Sequence, residues 1–339
     1  MNIQEAIKKV IENQDLTFEE AYSTMNAIMT GEGTPAQIAC IITALRMKNE
    51  TINEIAGFAK AMQEMATDLG VDGTDFIDVV GTGGDRKHTF NISTASAFIA
   101  AGAGAKVAKH GNRSVSSKCG SADVLSACGV NIQAPIEKVS LALNKIGIAF
   151  LFAPLMHKAM KYAIGPRKEI AIRTIFNILG PLTNPLKTKK QLIGVYDVSL
   201  VKRITNVLQA LGLEKAYVVH GMEGLDEISI SGNTKIGYLV NNETSTFKIN
   251  PTDMGLKEFP LDAIKGGSAI DNAEIMKKLF KGEMKESAIE NICVINSAFA
   301  IHLTDACKSP KDGVEIALDS IRSGKAMEKL QALIDITNS

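Results

Sequence analysis

At Phe76 the hydrophobic periodicity of this chain changes from helical to extended, and that change decides what it can fold into. Upstream, Ile3, Ala6, Ile7, Val10 and Ile11 recur at helical spacing. Thr17 and Glu20 form a capping-box pattern ahead of Ala21, Met25 and Ile28, and Thr34-Pro35 supplies an N-cap and an N1 proline for Ile38, Ile41, Ile42 and Leu45. Thr51 with Glu54 opens a further helix through Ile55, Phe58, Met62 and Met65. Downstream, Phe76-Ile77-Asp78-Val79-Val80 is a β-branched run ending at a glycine cluster, as strands of a buried parallel sheet do. Candidate strands at 106–108, 148–152, 192–195 and 216–219 alternate with helical segments at 95–101, 136–146 and 201–211, which implies right-handed βαβ crossovers. Segments 236–240 and 244–249 flank Asn241-Asn242, a hairpin turn that adds antiparallel strands. From about residue 261 the pattern is helical, with Gly324 as a cap before the last helix. The fold class expected is α/β: a small N-terminal helical-bundle domain over 1–72, and a large α/β domain with a mostly parallel central sheet over 73–339.

A length of 339 residues suits one large α/β unit with a smaller companion. Lys and Arg number 37, as do Asp and Glu, so the formal charge is zero and a broad basic face for nucleic acid or anionic membrane is not expected. Any anion must be held locally. Residues 89–105 form a 17-residue uncharged stretch, but it is laced with Asn, Ser, Thr and Gly and falls short of the ~20 apolar residues that span a bilayer. Met1-Asn2-Ile3-Gln4-Glu5 lacks the basic and apolar regions of a signal peptide, and five scattered cysteines without CxxC spacing fit a reduced, cytoplasmic protein.

Gly81-Thr82-Gly83-Gly84-Asp85 follows the first strand directly, where three glycines let the backbone approach a ligand and present amides to an anion. It is not the dinucleotide fingerprint, because Arg86 takes the last glycine's place, and no GxxxxGK[ST] occurs. Asn91-Ile92-Ser93-Thr94 then leads into a small-residue helix whose N-terminus offers free amides and a positive dipole, so strand, turn and helix start form a phosphate cradle. Residues 109–121 carry Lys109, Arg113 and Lys118 with four serines and two glycines, at the carboxyl edge of a strand where open α/β sheets bind ligands. A solvated loop would have the same composition. Asp226 and Glu227, in a turn after a strand, can reach one hydrated cation such as magnesium. Arg167, read as starting a helical segment that runs to Phe176, can hold a carboxylate, with Arg173 and Lys168 equally eligible on local grounds. Of the histidines only His110 lies in a candidate site; His88, His157, His220 and His302 show no metal-ligand spacing and read as structural. Cys119 has no partner base and reads as a small filler rather than a nucleophile.

Taken together, Asp78-Val79-Val80-Gly81-Thr82-Gly83-Gly84-Asp85, Asn91-Ile92-Ser93-Thr94, Lys109-His110-Gly111-Asn112-Arg113-Ser114-Val115-Ser116-Ser117, the run 173–185 (Arg173-Thr174-Ile175-Phe176-Asn177 onward) and His220-Gly221 with Gly224-Leu225-Asp226-Glu227 resemble the anthranilate phosphoribosyltransferases over essentially the whole chain. The resemblance implies a fold shared with pyrimidine nucleoside phosphorylases, with the active site in a cleft between the two domains and a segment at about 166–182 completing the smaller one. It implies transfer of the phosphoribosyl group of phosphoribosyl pyrophosphate (PRPP) to the anthranilate amine with release of pyrophosphate, a step of tryptophan biosynthesis. PRPP binding would fall to Gly81, Gly84, Asp85, Thr89, Asn91, Ile92, Ser93 and Thr94, and to Lys109, His110, Gly111, Asn112, Arg113, Ser114, Val115, Ser116, Ser117 and Ser121. Anthranilate would meet Gly81, Asn112 and Arg167; magnesium would be held by Ser93, Asp226 and Glu227. No residue is implied as a covalent nucleophile, and His110 is a possible assistant to the amine proton. The chain departs from the family pattern at Cys119, where serine is expected, and at Leu155-Met156-His157-Lys158, where a segment more like Asn-Tyr-His-Pro is expected. A homodimer through the helical domain is also implied. The competing readings are a pyrimidine nucleoside phosphorylase and a non-catalytic nucleic-acid-binding paralogue.

Overall fold

A computed structural model of the chain describes residues 1–114 and 118–339. Four helices come first: α1 (Ile3–Ile11), α2 (Phe18–Thr30), α3 (Pro35–Lys48) and α4 (Ile52–Glu64). Each opens at a reciprocal capping box, Asn2 with Glu5, Thr17 with Glu20, Thr34 with Gln37 and Thr51 with Glu54. Their apolar faces bury Met25, Ile28, Ile41, Ile42, Leu45, Ile55 and Phe58 completely. A Cβ at Gly57 of α4 would overlap the Phe18 carbonyl, so α2 and α4 meet backbone to backbone at that point.

The remainder alternates strand and helix before turning helical: β1 (Phe76–Gly81), α5 (Ile92–Gly102), β2 (Lys106–Gly111), α6 (Ser121–Cys128), α7 (Ile136–Ile146), β3 (Ile148–Phe152), α8 (Ala153–Met156), α9 (Lys161–Ile170), α10 (Phe176–Leu179), β4 (Lys190–Gly194), α11 (Leu200–Ala210) and β5 (Lys215–Gly221). Then come β6 (Thr234–Val240), β7 (Glu243–Ile249), α12 (Ala269–Phe280), α13 (Ala288–His302), α14 (Pro310–Arg322) and α15 (Lys325–Asn338). The seven strands form one sheet in the order β3-β2-β1-β4-β5-β6-β7. β1 to β5 are parallel and β6 and β7 antiparallel. Asn241 and Asn242 both take positive φ (50° and 61°) between β6 and β7, the mirror-image turn that matches strand twist. The chain is thus a helical bundle followed by an α/β unit with a mostly parallel sheet.

Period-two alternation sends Leu192, Tyr217 and Val219 to one face of the sheet, against α5 and α13 to α15. Ile193, Val195, Ala216 and Val218 go to the other face, in a core shared with α11, with α1 to α4 and with Ala163, Ile175, Phe176, Ile178, Leu179 and Leu182.

Three expectations need correction. β2 runs on to Gly111, so Lys109 and His110 are strand residues and not the start of a loop; both are buried. The strand read as 192–195 spans Lys190–Gly194. Arg167 does not begin a helix to Phe176; it lies in the last turn of α9, which contains Pro166 and ends at Ala171 with φ 50°. Proline removes one amide from the ladder without stopping a helix whose buried face, here Ala163 and Pro166, is packed.

Candidate active site

Strand order places the crevice. β1 has β2 on one side and β4 on the other, so the crossovers leave in opposite directions there, the switch point at which open sheets bind ligands beyond their carboxyl ends. At that edge Gly81 of β1 stands beside Gly194 of β4. Gly194 must be glycine, because a Cβ there would overlap the Asp226 carbonyl, and a Cβ on Gly81 would come 2.6 Å from Asp226 Oδ2 and displace that side chain. Asp226 therefore lies directly over the crevice floor.

The paired acids reach two different loops. The Gly83 amide donates to Asp226 Oδ2 at 2.7 Å. The Ser93 amide, in the first turn of α5, donates to Glu227 Oε1 at 3.0 Å. Lys109 enters from below, its Nζ donating to the Val79 carbonyl at 2.6 Å and to Ser93 Oγ at 3.4 Å. Burial pushes the Asp226 carboxyl up to about 7, with repulsion from Asp85 second and the Gly83 amide opposing. Burial, then Asp226, raises Glu227 well above the carboxylate range. Burial also lowers Lys109, against the attraction of Asp78 and Glu227. Asp85 Oδ2 is buried with no hydrogen-bond partner among the described residues. Crowded, desolvated acids of this kind call for a cation. Among the described residues no three His, Cys, Asp or Glu side chains form a ready metal cage. An orphaned carboxylate oxygen beside two acids and a hydroxyl is an oxygen-only donor set, which fits magnesium, an ion that keeps waters and substrate oxygens in its shell.

The neighbouring segments are held in place by single side chains. Asp123 of α6 accepts from Arg113 Nη1 at 2.9 Å, from the Ser114 amide at 3.0 Å and from the Gly120 amide at 2.9 Å, pinning both shoulders of the loop. Ser121 Oγ donates to the Asn112 carbonyl at 3.2 Å. Val115, Ser116 and Ser117 lie outside the described residues. Asn91 caps no amide of α5; its side chain instead donates to the Cys119 carbonyl at 3.2 Å and accepts from Asn272 at 2.9 Å. Cys119 Sγ donates to Asn91 Oδ1 at 3.2 Å, and burial pushes its thiol up to about 11, so it is no nucleophile. Thr89 bridges to Lys265. Ile92 and Thr94 are buried in α5, facing the core.

His110 is fixed through Asp78, which accepts the His110 amide at 3.1 Å and the Asn184 side chain at 2.8 Å. Burial holds the His110 ring down to about 3, helped by His157 and opposed by the Gly180 carbonyl. His157, read above as structural, sits edge-on to it at 5.2 Å between ring centroids. Burial lowers His157 to about 4 against the Thr183 carbonyl. Both rings are neutral at pH 7, and both Nε2 atoms are buried without a hydrogen-bond partner among the described residues. Local spacing gives no sign of this pair, which the end of β2 and the residue capping α8 bring together.

Of the three cations left open for a carboxylate, Arg173 is engaged elsewhere, donating from Nη2 to the Gly84 carbonyl at 2.6 Å. Lys168 is exposed. Arg167 is half-buried with its guanidinium 4.8 Å from the Phe176 ring, and burial lowers its pKa. No acidic side chain among the described residues pairs with it, and no hydrogen bond ties it to the other named residues.

The buried imidazole makes a pH prediction. Unfolded His157 binds a proton near pH 6.5, whereas the folded ring resists one until about pH 4. Stability present above pH 6.5 is therefore lost as pH falls, by roughly 2 kcal/mol at pH 5. Asp78, raised to about 6 by burial, titrates oppositely in this window. Urea melts of wild type and His157→Gln should thus be compared as a difference, which is expected to move ~2 kcal/mol in the variant's favour between pH 7 and pH 5. A difference independent of pH would mean that the folded ring protonates freely.

A glycine turn, a helix N-terminus and an acid pair at a switch-point crevice can hold an anionic ligand together with a cation, and the comparisons give the class. Residues 4–66 match the helical bundle domain of a glycosyl transferase family and residues 73–327 match its a/b domain. The sequence is 47% identical over 99% of the chain to anthranilate phosphoribosyltransferase of Pelobacter propionicus, covering 99% of that protein. It is 47% identical over 99% of the chain to the same enzyme of Acetivibrio thermocellus, covering 97% of it. The crystal structure of the Thermus thermophilus enzyme superposes with a TM-score of 0.93 at 37% identity, over 98% of this chain and 99% of that one. The Saccharomyces cerevisiae enzyme in complex with PRPP and Mg superposes with a TM-score of 0.88 at 28% identity, over 99% and 98%. The chain belongs to the anthranilate phosphoribosyltransferases.

Proposed function

We propose that this enzyme transfers the phosphoribosyl group of PRPP to the amine of anthranilate, giving N-(5-phosphoribosyl)anthranilate and pyrophosphate. The observation that carries the proposal is the crevice itself: a glycine turn, a helix N-terminus and two half-buried acids converge on the β1/β4 edge in a chain that covers 99% of a relative's length. The helix dipole and the remaining amides of the turn and of α5 suit phosphate oxygens, while the Thr82, Gly83, Ile92 and Ser93 amides are engaged within the chain. Gly81, Gly84, Asp85, Thr89, Asn91 and Ser93 would line PRPP, with Lys109 neutralising charge from beneath and the loop from Asn112 to Ser121 closing over it. Ser93, Asp226 and Glu227 would hold magnesium, whose charge offsets that of the departing pyrophosphate.

Anthranilate would sit against Gly81 and Asn112, with Arg167 holding its carboxylate and so aiming the amine at the anomeric carbon. The amine lone pair forms the new C–N bond as the bond to the pyrophosphate oxygen breaks with its electron pair, inverting the carbon. The amine proton then leaves; His110 is neutral and open to a proton, but the burial that holds its ring down to about 3 makes it a weak base. No covalent nucleophile is needed, and the raised thiol of Cys119 supplies none.

The division at about residue 72, with 166–182 completing the smaller domain, gives the cleft its two walls. We assign the enzyme to the cytoplasm; no helix among the described residues is long and apolar enough to cross a membrane. A homodimer would use α1, α3 and α9, which pack side by side and expose Ile11, Met47 and Ile164. The full-length relatives favour this reading over a nucleoside phosphorylase or a nucleic-acid-binding paralogue.

The direct test mixes the protein with anthranilate, PRPP and magnesium and follows anthranilate fluorescence. A time-dependent change that needs all three is expected. No change, coupled with salt-sensitive retention of DNA, would replace the proposal with the binding paralogue.

A further inference from the structure

The glycine turn is gripped on two sides, and only one grip belongs to the acid pair. Asp226 takes the Gly83 amide, while the Gly84 carbonyl accepts from Arg173 Nη2 at 2.6 Å. Gly83 and Gly84 have φ of 65° and 78°, in a region where glycine roams widely unless something outside the turn selects one conformation. The Arg173 guanidinium lies 4.2 Å from the centroid of the Tyr196 ring. Tyr196 in turn donates its amide to Thr82 Oγ1 at 3.1 Å, and the Thr82 amide donates to the Gly194 carbonyl at 2.9 Å. Arg173, Tyr196, Thr82 and Gly84 therefore close a ring of contacts along one side of the turn. A Cβ on Gly84 would come 3.0 Å from Arg173 Nη2, so the guanidinium is seated against bare backbone.

In a trans peptide the carbonyl and the following amide point in opposite directions. Holding the Gly84 oxygen on Arg173 therefore turns the Asp85 amide away from Arg173, and a cationic donor strengthens the hold. Arg173 belongs to the 171–175 break between α9 and α10. Its near neighbours Ile175 and Phe176 are buried in the core shared with α1 to α4. The residue thus reaches from the helical body to the turn.

We propose that Arg173, backed by Tyr196, is a positioning residue for the pyrophosphate-binding turn: it sets the direction of the turn's amides and ties that setting to the packing of the helical body. The proposal rests on the reading of the turn as the PRPP site. The test uses purified full-length Arg173→Ala, Arg173→Lys and Tyr196→Leu, with KM measured separately for PRPP and anthranilate and PRPP affinity measured by calorimetry with magnesium. Arg173→Ala is expected to raise both KM and Kd for PRPP by about tenfold or more, the worth of one hydrogen bond from a charged donor. KM for anthranilate should stay within about twofold. Lysine should recover part of the loss, since it keeps a donor but not the planar stack, and Tyr196→Leu should shift PRPP in the same direction by less. An unchanged PRPP Kd in Arg173→Ala, or equal rises in both KM values, would overturn the proposal. Should Arg173→Ala fail to fold, the lysine and Tyr196 variants decide by the same criteria. Wild-type protein that binds PRPP but transfers nothing to anthranilate would overturn the proposed reaction instead, and the calorimetric comparison would still judge Arg173.

Discussion

Asp226→Asn combined with Glu227→Gln is expected to lower kcat/KM for PRPP by about a hundredfold or more and to raise the magnesium concentration needed for half-maximal rate. Both substitutions keep the shape of the side chain and one carbonyl oxygen, so the amides of Gly83 and Ser93 keep acceptors and the turn keeps its place. What disappears is negative charge, and stabilising a leaving pyrophosphate through a bound metal is worth several kcal/mol, at 1.4 kcal/mol for each factor of about ten. Stability should move the other way. Asp226 and Glu227 are half-buried beside Asp85, and desolvation raises both carboxyls, with repulsion from Asp85 adding to Asp226 and repulsion from Asp226 adding to Glu227. Neutral amides relieve that conflict, so the double variant without magnesium and PRPP should melt at or above the wild-type temperature. Lower activity with equal or higher stability is the pattern of a site strained for function. Full activity with an unchanged magnesium dependence would remove both residues from the metal site, whatever the melting temperature.

The elements that were legible in the sequence are those whose cause is local. Thr17 with Glu20, Thr51 with Glu54, and Thr34 ahead of Pro35 mark helix starts, and all three threonines cap helices in the structure. Gly81 to Asp85 after a β-branched run is visible as a turn beyond a strand. Lys109 and His110 misled because a charged residue in a fully buried parallel strand breaks the apolar run by which such strands are recognised. Their burial is made possible by Asp78, Val79 and Ser93, partners supplied by sheet register and by α5. Pro166 misled because proline marks a boundary only when packing does not hold the helix through it. What no local pattern could reveal is pairing across the chain. Asp226 lies 143 residues from Gly83, Asn272 lies 181 from Asn91 and Arg173 lies 89 from Gly84. The choice among Arg167, Lys168 and Arg173 was open for the same reason, since only the fold shows which guanidinium is already engaged.

That choice leads to the second large effect. Arg167→Ala is expected to raise KM for anthranilate by about ten- to a hundredfold, the range for losing charge-assisted hydrogen bonds to a carboxylate, while KM for PRPP changes by no more than about threefold. The rate constant should fall as well, because an amine no longer held by its carboxylate spends less time aligned with the anomeric carbon. Arg167→Lys should recover only part of the affinity, because an ammonium cannot reproduce the two-pronged contact of a guanidinium. The alternative role for Arg167 is packing. Its guanidinium covers Phe176, whose ring is buried in the core of the helical body, and at 4.8 Å that contact is worth ~0.5–1 kcal/mol near the surface. A packing role would therefore appear as a small drop in melting temperature, repeated in Phe176→Leu, with both KM values shifted alike. A substrate role leaves the melting temperature nearly untouched and moves anthranilate alone. Equal shifts for the two substrates would take Arg167 out of the anthranilate site and leave the carboxylate to be held elsewhere.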